Sequence, residues 1–288
     1  PRWKWPFAPH DLGTYPLANG QVYGGGEVTE DDQMPVEESG NLLILVADME
    51  RELGNFDFAR TYWPQFTKWA EYLKQEGLDP SNQLSTDDFA GHLAHNANLS
   101  IKAIEALSSY AILARGVGKP DVADQYAHLA EDMAGKWQTM AIDGDHYKLA
   151  FDKPGTWSQK YNLVWDQILE LKLFPAKVRA TELAFYVQHL NQFGLPLDNR
   201  ADYTKLDWSI WTATLADPGQ ASEAEAYRQI LDRTGHWISE GPTRVPLTDW
   251  YDTKTGKQIG FQARSVVGGV YIKALADKAL AEKWRSRE

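Results

Sequence analysis

Acidic, imidazole and amide side chains in this chain gather in short polar runs set directly against apolar ones. The stretch TDDFAGHLAHNANLS (86–100) holds Asp87, Asp88, His92, His95 and Asn98; PVEESGN (35–41) holds Glu37, Glu38 and Asn41; PHDLG (9–13) sets His10 beside Asp11. Hydrolysis of a stable bond needs one group to activate water or attack, and another to deliver a proton, and paired carboxylates do both. Asp11, Glu37, Glu38, Asp87 and Asp88 are therefore the candidate catalytic groups. Each also has a plainer reading: Asp11 as a loop staple, the two glutamates as first-turn residues favoured by the helix dipole. Adjacent helical positions point about 100° apart, so only one of Glu37 and Glu38 can face a pocket squarely, and Glu38 shares its helical edge with Asn41.

Binding groups are expected in further runs. SQKYNLVWD (158–166) contributes Lys160, Asn162, Trp165 and Asp166; YTKLDW (203–208) contributes Lys205, Asp207 and Trp208; DWYDTKTG (249–256) contributes Trp250 and Asp252, with Arg264 shortly after it. An ordinary helix-end ion network would use the lysines and carboxylates equally well. In a pocket they would recognise the carboxylate and ammonium of an amino acid, or sugar hydroxyls, and the Arg264 fork suits a carboxylate. Tryptophans in these runs, Trp157 included, suit stacking on a sugar face, while Trp63, Trp69 and Trp137 read as packing bulk. His10, Asn41, His92, His95 and Asn98 join the binding set. His92 and His95 would share a face if that stretch were helical. Hydrogen bonding is favoured over zinc, because no HExxH pattern and no cysteine completes a ligand set. No metal and no cofactor are expected. For attack on an amide the remaining nucleophiles are Ser39, Thr86 or a water held by a carboxylate, and no GxSxG elbow supports the serine.

The whole chain narrows the field. It has 288 residues, 43% of them hydrophobic, a formal charge of −11 and no cysteine. That charge repels phosphate backbones and anionic membranes, so the expected partner is a small molecule, and neither nucleic acid nor membrane. Disulfides and thiolate chemistry are excluded. The Asn98-Leu99-Ser100 triplet fits a glycosylation sequon, a pattern short enough to arise by chance.

The polar runs must be positioned by helices. A 3.6-residue periodicity predicts nine, near 36–53, 56–76, 98–116, 120–141, 160–173, 176–191, 205–216, 220–238 and 263–284, with a short hairpin turning at DGD (143–145) and no long strand. The second, fourth, sixth and eighth are amphipathic; the odd ones are more apolar, and each follows or opens on a polar run. Buried helices alternating with exposed ones describe an all-α (α/α)6 six-hairpin barrel, in which all inner helices start at one rim and the polar runs converge there. Twelve helices close such a barrel, so about three are expected upstream of Pro1, and residues 1–288 form an incomplete, later part of the domain.

The strings FAPHDLGTYP, MPVEESGNLLIL, TDDFAGHLAHNANLSIKAI, SQKYNLVWD, FGLPLDNR, YTKLDW, DWYDTKTG and FQARSVVGGVYIK, spread over nearly the whole chain, resemble the glutaminase A family of secreted fungal and bacterial proteins. The resemblance implies the C-terminal six-helical-hairpin portion of an extracellular hydrolase that releases ammonia from glutamine. It also implies a β-rich region ahead of this portion, absent here and a possible partner of it. The helical barrel is similar to that of many glycoside hydrolases, so a two-carboxylate glycosidase and a non-catalytic carbohydrate-binding or subunit role stand as alternatives.

Overall fold

The computed structural model describes residues 3, 5–10, 29–243 and 245–286. It divides into two compact units, Pro1–Met140 with Ala150–Asp152, and Ala141–Leu149 with Lys153–Glu288.

The first unit is built on α1 (Pro35–Leu53), α2 (Asp57–Thr61), α3 (Trp63–Glu76), α4 (Ala97–Gly116) and α5 (Pro120–Ala141). Pro35 opens α1, where a missing N–H costs nothing, and Gly54 closes it in the left-handed conformation at φ 66°. Asn96 caps α4: its Oδ1 accepts from the backbone amides of Asn98 and Leu99 at 3.0 and 3.1 Å. Part of the polar density of the 86–100 run is thus helix-capping chemistry. Nearly every residue of α4 is buried, with α1 and α3 packed against it, and α5 joins through Trp137 Nε1, which donates to the Ala97 carbonyl at 2.8 Å.

The expected helix 56–76 is broken at Tyr62, because Pro64 has no amide to continue the ladder and restricts the residue before it. A sequon glycan at Asn98 finds no room, since that residue is 5% exposed.

In the second unit the hairpin turns at Gly144 as expected, but its strands β1 (Ile142–Asp143) and β2 (His146–Tyr147) are only two residues each. Then come α6 (Val164–Ile168), α7 (Ala176–Val187), β3 (Tyr203–Lys205), α8 (Leu206–Thr214), α9 (Ala221–Glu240), β4 (Thr248–Asp252), β5 (Gln258–Gln262), α10 (Ile272–Ala276) and α11 (Lys278–Arg285), with 3-10 turns at Tyr161–Leu163 and Ser265–Tyr271. Helix α8 is the centre, packed on α9, α10, β4 and the Ser265–Tyr271 turn.

The antiparallel sheet β3-β4-β5 was not foreseen. Its strands are too short for a periodic signal, and β3 pairs with a partner more than forty residues away: Tyr203 faces Asp252 and Lys205 faces Trp250. Tyr251 of β4 stacks on Trp237 of α9 with centroids 3.7 Å apart, and its hydroxyl donates to the Phe193 carbonyl at 3.0 Å. The helix expected over 263–284 is a 3-10 turn and two short helices, parted at Asp277, whose backbone is extended. The helix expected over 160–173 stops at Ile168, after which Glu170 and Lys172 adopt positive φ and the Leu173 amide is taken by Asp166 Oδ1 at 2.8 Å.

Candidate functional site

The junction of β3 with α8 holds the most unusual carboxyl group. Asp207 lies in the first turn of α8, 1% exposed, and neither of its oxygens has a side-chain hydrogen-bond partner. Burial pushes its pKa up, the Lys205 ammonium 3.9 Å away and the backbone amides of Asp207 and Trp208 pull it partly back, and the nearby Asp249 charge adds to the rise, leaving it at about 6. Lys205 itself is held by Asp249, 2.6 Å from Oδ2. Arg264 closes a fork on the same carboxylate, Nη2 to Oδ2 at 2.6 Å and Nε to Oδ1 at 3.3 Å. For Asp249, burial works upwards, but the hydrogen bonds from Arg264 and Lys205 outweigh it and hold the carboxyl below its ordinary range. One carboxyl here is stably charged; its neighbour changes protonation near neutrality.

Aromatic rings surround this pair. Trp208 stacks on Tyr161 with centroids 4.4 Å apart, Trp211 meets Trp208 edge-on at 4.7 Å, and Trp165 meets Trp211 at 5.4 Å. The Lys205 ammonium sits 5.7 Å from the Trp208 ring centroid, so Asp207 and Trp208 flank the same cation. Trp208 Nε1 is buried and without a hydrogen-bond partner. Over Asp207 runs the Ser265–Tyr271 turn, fixed by a 2.9 Å bond from Trp211 Nε1 to the Gly269 carbonyl. A β-carbon on Gly269 would lie 2.9 Å from Asp207 Cβ, so only glycine lets the turn come this close.

In the other unit the start of α1 brings His10, Glu37, Glu38 and Asn41 together. Glu37 is buried against Lys102, whereas Glu38 Oε1 lies 2.7 Å from His10 Nδ1 and Asn41 donates to Glu38 Oε2 at 3.3 Å.

The remaining candidates are taken up locally. His92 and His95 do not share a helical face: the stretch is irregular, His92 Nε2 meets the Asp31 carbonyl at 2.9 Å, and His95 Nδ1 meets Asp79 at 2.7 Å. Asp87 is buried ahead of the 3-10 turn Asp88–Ala90, and Asn98 is buried at the start of α4. Lys160, wholly buried, donates to the Ser158 and Tyr147 carbonyls at 2.8 and 3.0 Å and lies 3.6 Å from Glu182; Asn162 is buried beside it in the chain. Asp166 staples Leu173, and burial raises its pKa above the ordinary value. Asp252 caps the β4–β5 turn by accepting from the Lys254 and Thr255 amides at 3.0 and 2.7 Å. Trp250 packs edge-on against Tyr203 and tilted against Phe261. Asp11 and the Asp88 side chain lie outside the described residues. Among the described residues no group of three or more His, Asp or Glu is placed to hold a metal ion.

Sequence reasoning passed over Lys102, Asp249 and Trp211. Lys102 carried a readable signal, the one cation inside the largely apolar run NLSIKAIEAL; Asp249 and Trp211 gain their meaning only from partners far along the chain.

Residues 1–274 match the Glutaminase A six helical-hairpin domain. The chain belongs to that family. Its relatives include Glutaminase A of Aspergillus oryzae, 37% identical over 273 residues, covering 92% of this chain and 38% of that protein. Another is the Probable glutaminase of Arthroderma benhamiae, 29% identical over 362 residues, covering 95% and 41%. The chain thus spans about two-fifths of the length of these curated relatives. Among solved structures, a glycosidase variant in complex with glucose superposes with a TM-score of 0.65 at 13% identity, covering 95% of this chain and 74% of that one. A second glycosidase variant gives 0.64 at the same identity and coverage. The six-hairpin glycosidase-like helical fold expected from the alternating pattern is therefore present; the small sheet is an addition to it. Among the described residues no helix is long and apolar enough to cross a membrane.

Proposed function

We propose that this chain carries the helical portion of a glutaminase A-type hydrolase, acting on the side-chain amide of glutamine, with Asp207 as its proton-transferring group. The observation that carries the reading is a pair of buried polar groups near Lys205 that no side chain hydrogen-bonds: the two Asp207 oxygens, which accept, and Trp208 Nε1, which donates. Burying such groups unpaired is costly, and a ligand that satisfies both removes the cost. A primary carboxamide presents an N–H donor for Asp207 and a carbonyl acceptor for Trp208 on adjoining atoms. As water adds to the amide carbon, the carbonyl oxygen gains negative charge, which the Trp208 N–H stabilises, and the departing nitrogen needs a proton to leave as ammonia. An acid with a pKa of about 6 holds that proton in a useful fraction of molecules near neutral pH and can recover it from the attacking water.

The Ser265–Tyr271 turn, none of whose residues is buried, is the cover that must shift to admit the amide. Glutamine as substrate is supported by the names of the relatives, and an extracellular setting goes with the same reading.

A second reading, glycoside hydrolysis, is favoured by one specific feature: the Tyr161, Trp208, Trp211 and Trp165 rings beside Asp207 suit a sugar face, and a hydroxyl also pairs donor with acceptor.

The test compares ammonia release from glutamine with hydrolysis of a panel of aryl glycosides, for the wild type, Asp207→Asn and Trp208→Phe. The expected result is ammonia release that falls roughly 10²–10⁴-fold in Asp207→Asn and about 10–10³-fold in Trp208→Phe, with both variants folded. Full ammonia release by folded Asp207→Asn overturns the assignment, and glycoside turnover without ammonia release replaces the first reading by the second.

A further inference from the structure

The start of α1 is organised around a lysine that the site described above does not use. Lys102 stands in the middle of α4, 2% exposed, and reaches α1 because position 40 is glycine: a β-carbon there would lie 2.8 Å from Lys102 Cγ and 3.3 Å from Cδ. Its ammonium donates to Glu37, itself 1% exposed, and to Asn41 Oδ1 at 2.7 Å. An amide has one accepting end and one donating end. With Oδ1 turned to the lysine, the Asn41 NH2 must point away from it, and there it donates to Glu38 Oε2. The other Glu38 oxygen meets His10 Nδ1, and the segment bearing His10 is tied to the same helix and its approach by the Ala8 amide on Ser39 Oγ at 3.0 Å and the His10 amide on Gln33 Oε1 at 2.9 Å.

The two adjacent glutamates are therefore unlike. Glu37 is the buried counter-ion of Lys102, whereas the Glu38 side chain is 21% exposed and held from both sides. We infer that Lys102 is a positioning residue which, through the orientation of the Asn41 amide, aims Glu38, and that Glu38 is the carboxylate this unit presents to a ligand carrying an ammonium or hydroxyl donor. Without the lysine the amide would be free to turn its carbonyl towards Glu38 and exchange an attraction for a repulsion. The ammonium removes that alternative.

Lys102→Met alone strands Glu37 without a counter-ion and is expected to lower Tm by more than about 5 °C, which says nothing about positioning. The discriminating variant is Glu37→Gln with Lys102→Met, which removes both buried charges at nearly constant volume. Its Tm is expected within a few degrees of wild type, while the Asn41 side-chain NH2 resonances, identified by their loss in Asn41→Leu, shift in the 1H–15N spectrum of the full chain. The binding arm rests on the hydrolase reading: glutamine or methyl glucoside, whichever the wild type binds, is titrated into the full chain, and the Kd read from the Asn41 resonances rises about tenfold in the double variant. In a Glu38→Gln background the same double change adds nothing further, because Lys102 acts only through Glu38. An unmoved Asn41 signal, or a double variant with wild-type Kd, overturns the inference. If the wild type hydrolyses neither substrate class, the hydrolase reading has failed on its own, and the Asn41 resonances still decide whether Lys102 sets that amide.

Discussion

Asp207→Asn should make this protein more stable, and by an amount that depends on pH. In the folded chain the Asp207 carboxyl titrates at about 6 against an ordinary value of 3.8, because burial penalises its charged form more than Lys205 repays. At roughly 1.4 kcal/mol per pH unit, that rise corresponds to about 3 kcal/mol of unfavourable free energy once the group is ionised in both states. The sign follows from which state holds the proton. Below pH 3.8 both folded and unfolded chains carry it, and there is no penalty. Between about 4 and 6 the unfolded chain releases it while the folded chain keeps it, so stability falls as pH rises; above about 6 the loss is complete. Asparagine keeps the shape and removes the charge. Urea denaturation of the two proteins should therefore give midpoints that nearly coincide at pH 4 and separate above pH 7, the variant being more stable by up to about 3 kcal/mol. Under the proposed function the same substitution is expected to cost activity, a trade-off common where a destabilised polar group serves function. Parallel stability curves from pH 4 to pH 8 would refute the reasoning, since they would mean that the carboxyl is not desolvated in the folded state.

Two further outcomes follow from contacts in the same unit. Lys160→Met leaves Glu182 buried with only the Tyr147 amide and the Tyr186 hydroxyl, and should cost about 3–5 kcal/mol in urea denaturation, with Lys160→Met/Glu182→Gln recovering part of it; a loss under about 1 kcal/mol would show that the pair is not desolvated. Gly269→Ala forces its new methyl to within 2.9 Å of Asp207 Cβ and 3.3 Å of Trp211 Nε1, so the Ser265–Tyr271 turn must lift, at a cost of about 1–3 kcal/mol and with the Asp207 pKa falling towards its ordinary value; unchanged Tm and an unchanged acid limb of the activity profile would show that the turn does not sit on this carboxyl.

What the sequence determined by itself was local in origin. Helix positions followed from apolar spacing, because a helix must show one face to the core, and two of the ends fall on glycine, at Gly54 and Gly77. The family was legible in unbroken strings. The polar runs stood out in the sequence, but their division of labour did not, since adjacent residues of one type look alike until distant partners arrive. Glu37 and Glu38 differ only because Lys102 comes from another helix to meet one of them. Asp252 and Asp166 became backbone staples, while Asp207 became an acid with a displaced pKa. The three-stranded sheet brings Asp249 to Lys205 across a gap of forty-four residues, and so decides which carboxylate holds the cation closely and which is left at a distance from it. Burial and pairing set protonation, and both are properties of the packed chain. Residue type offers the chemistry; desolvation chooses among the candidates.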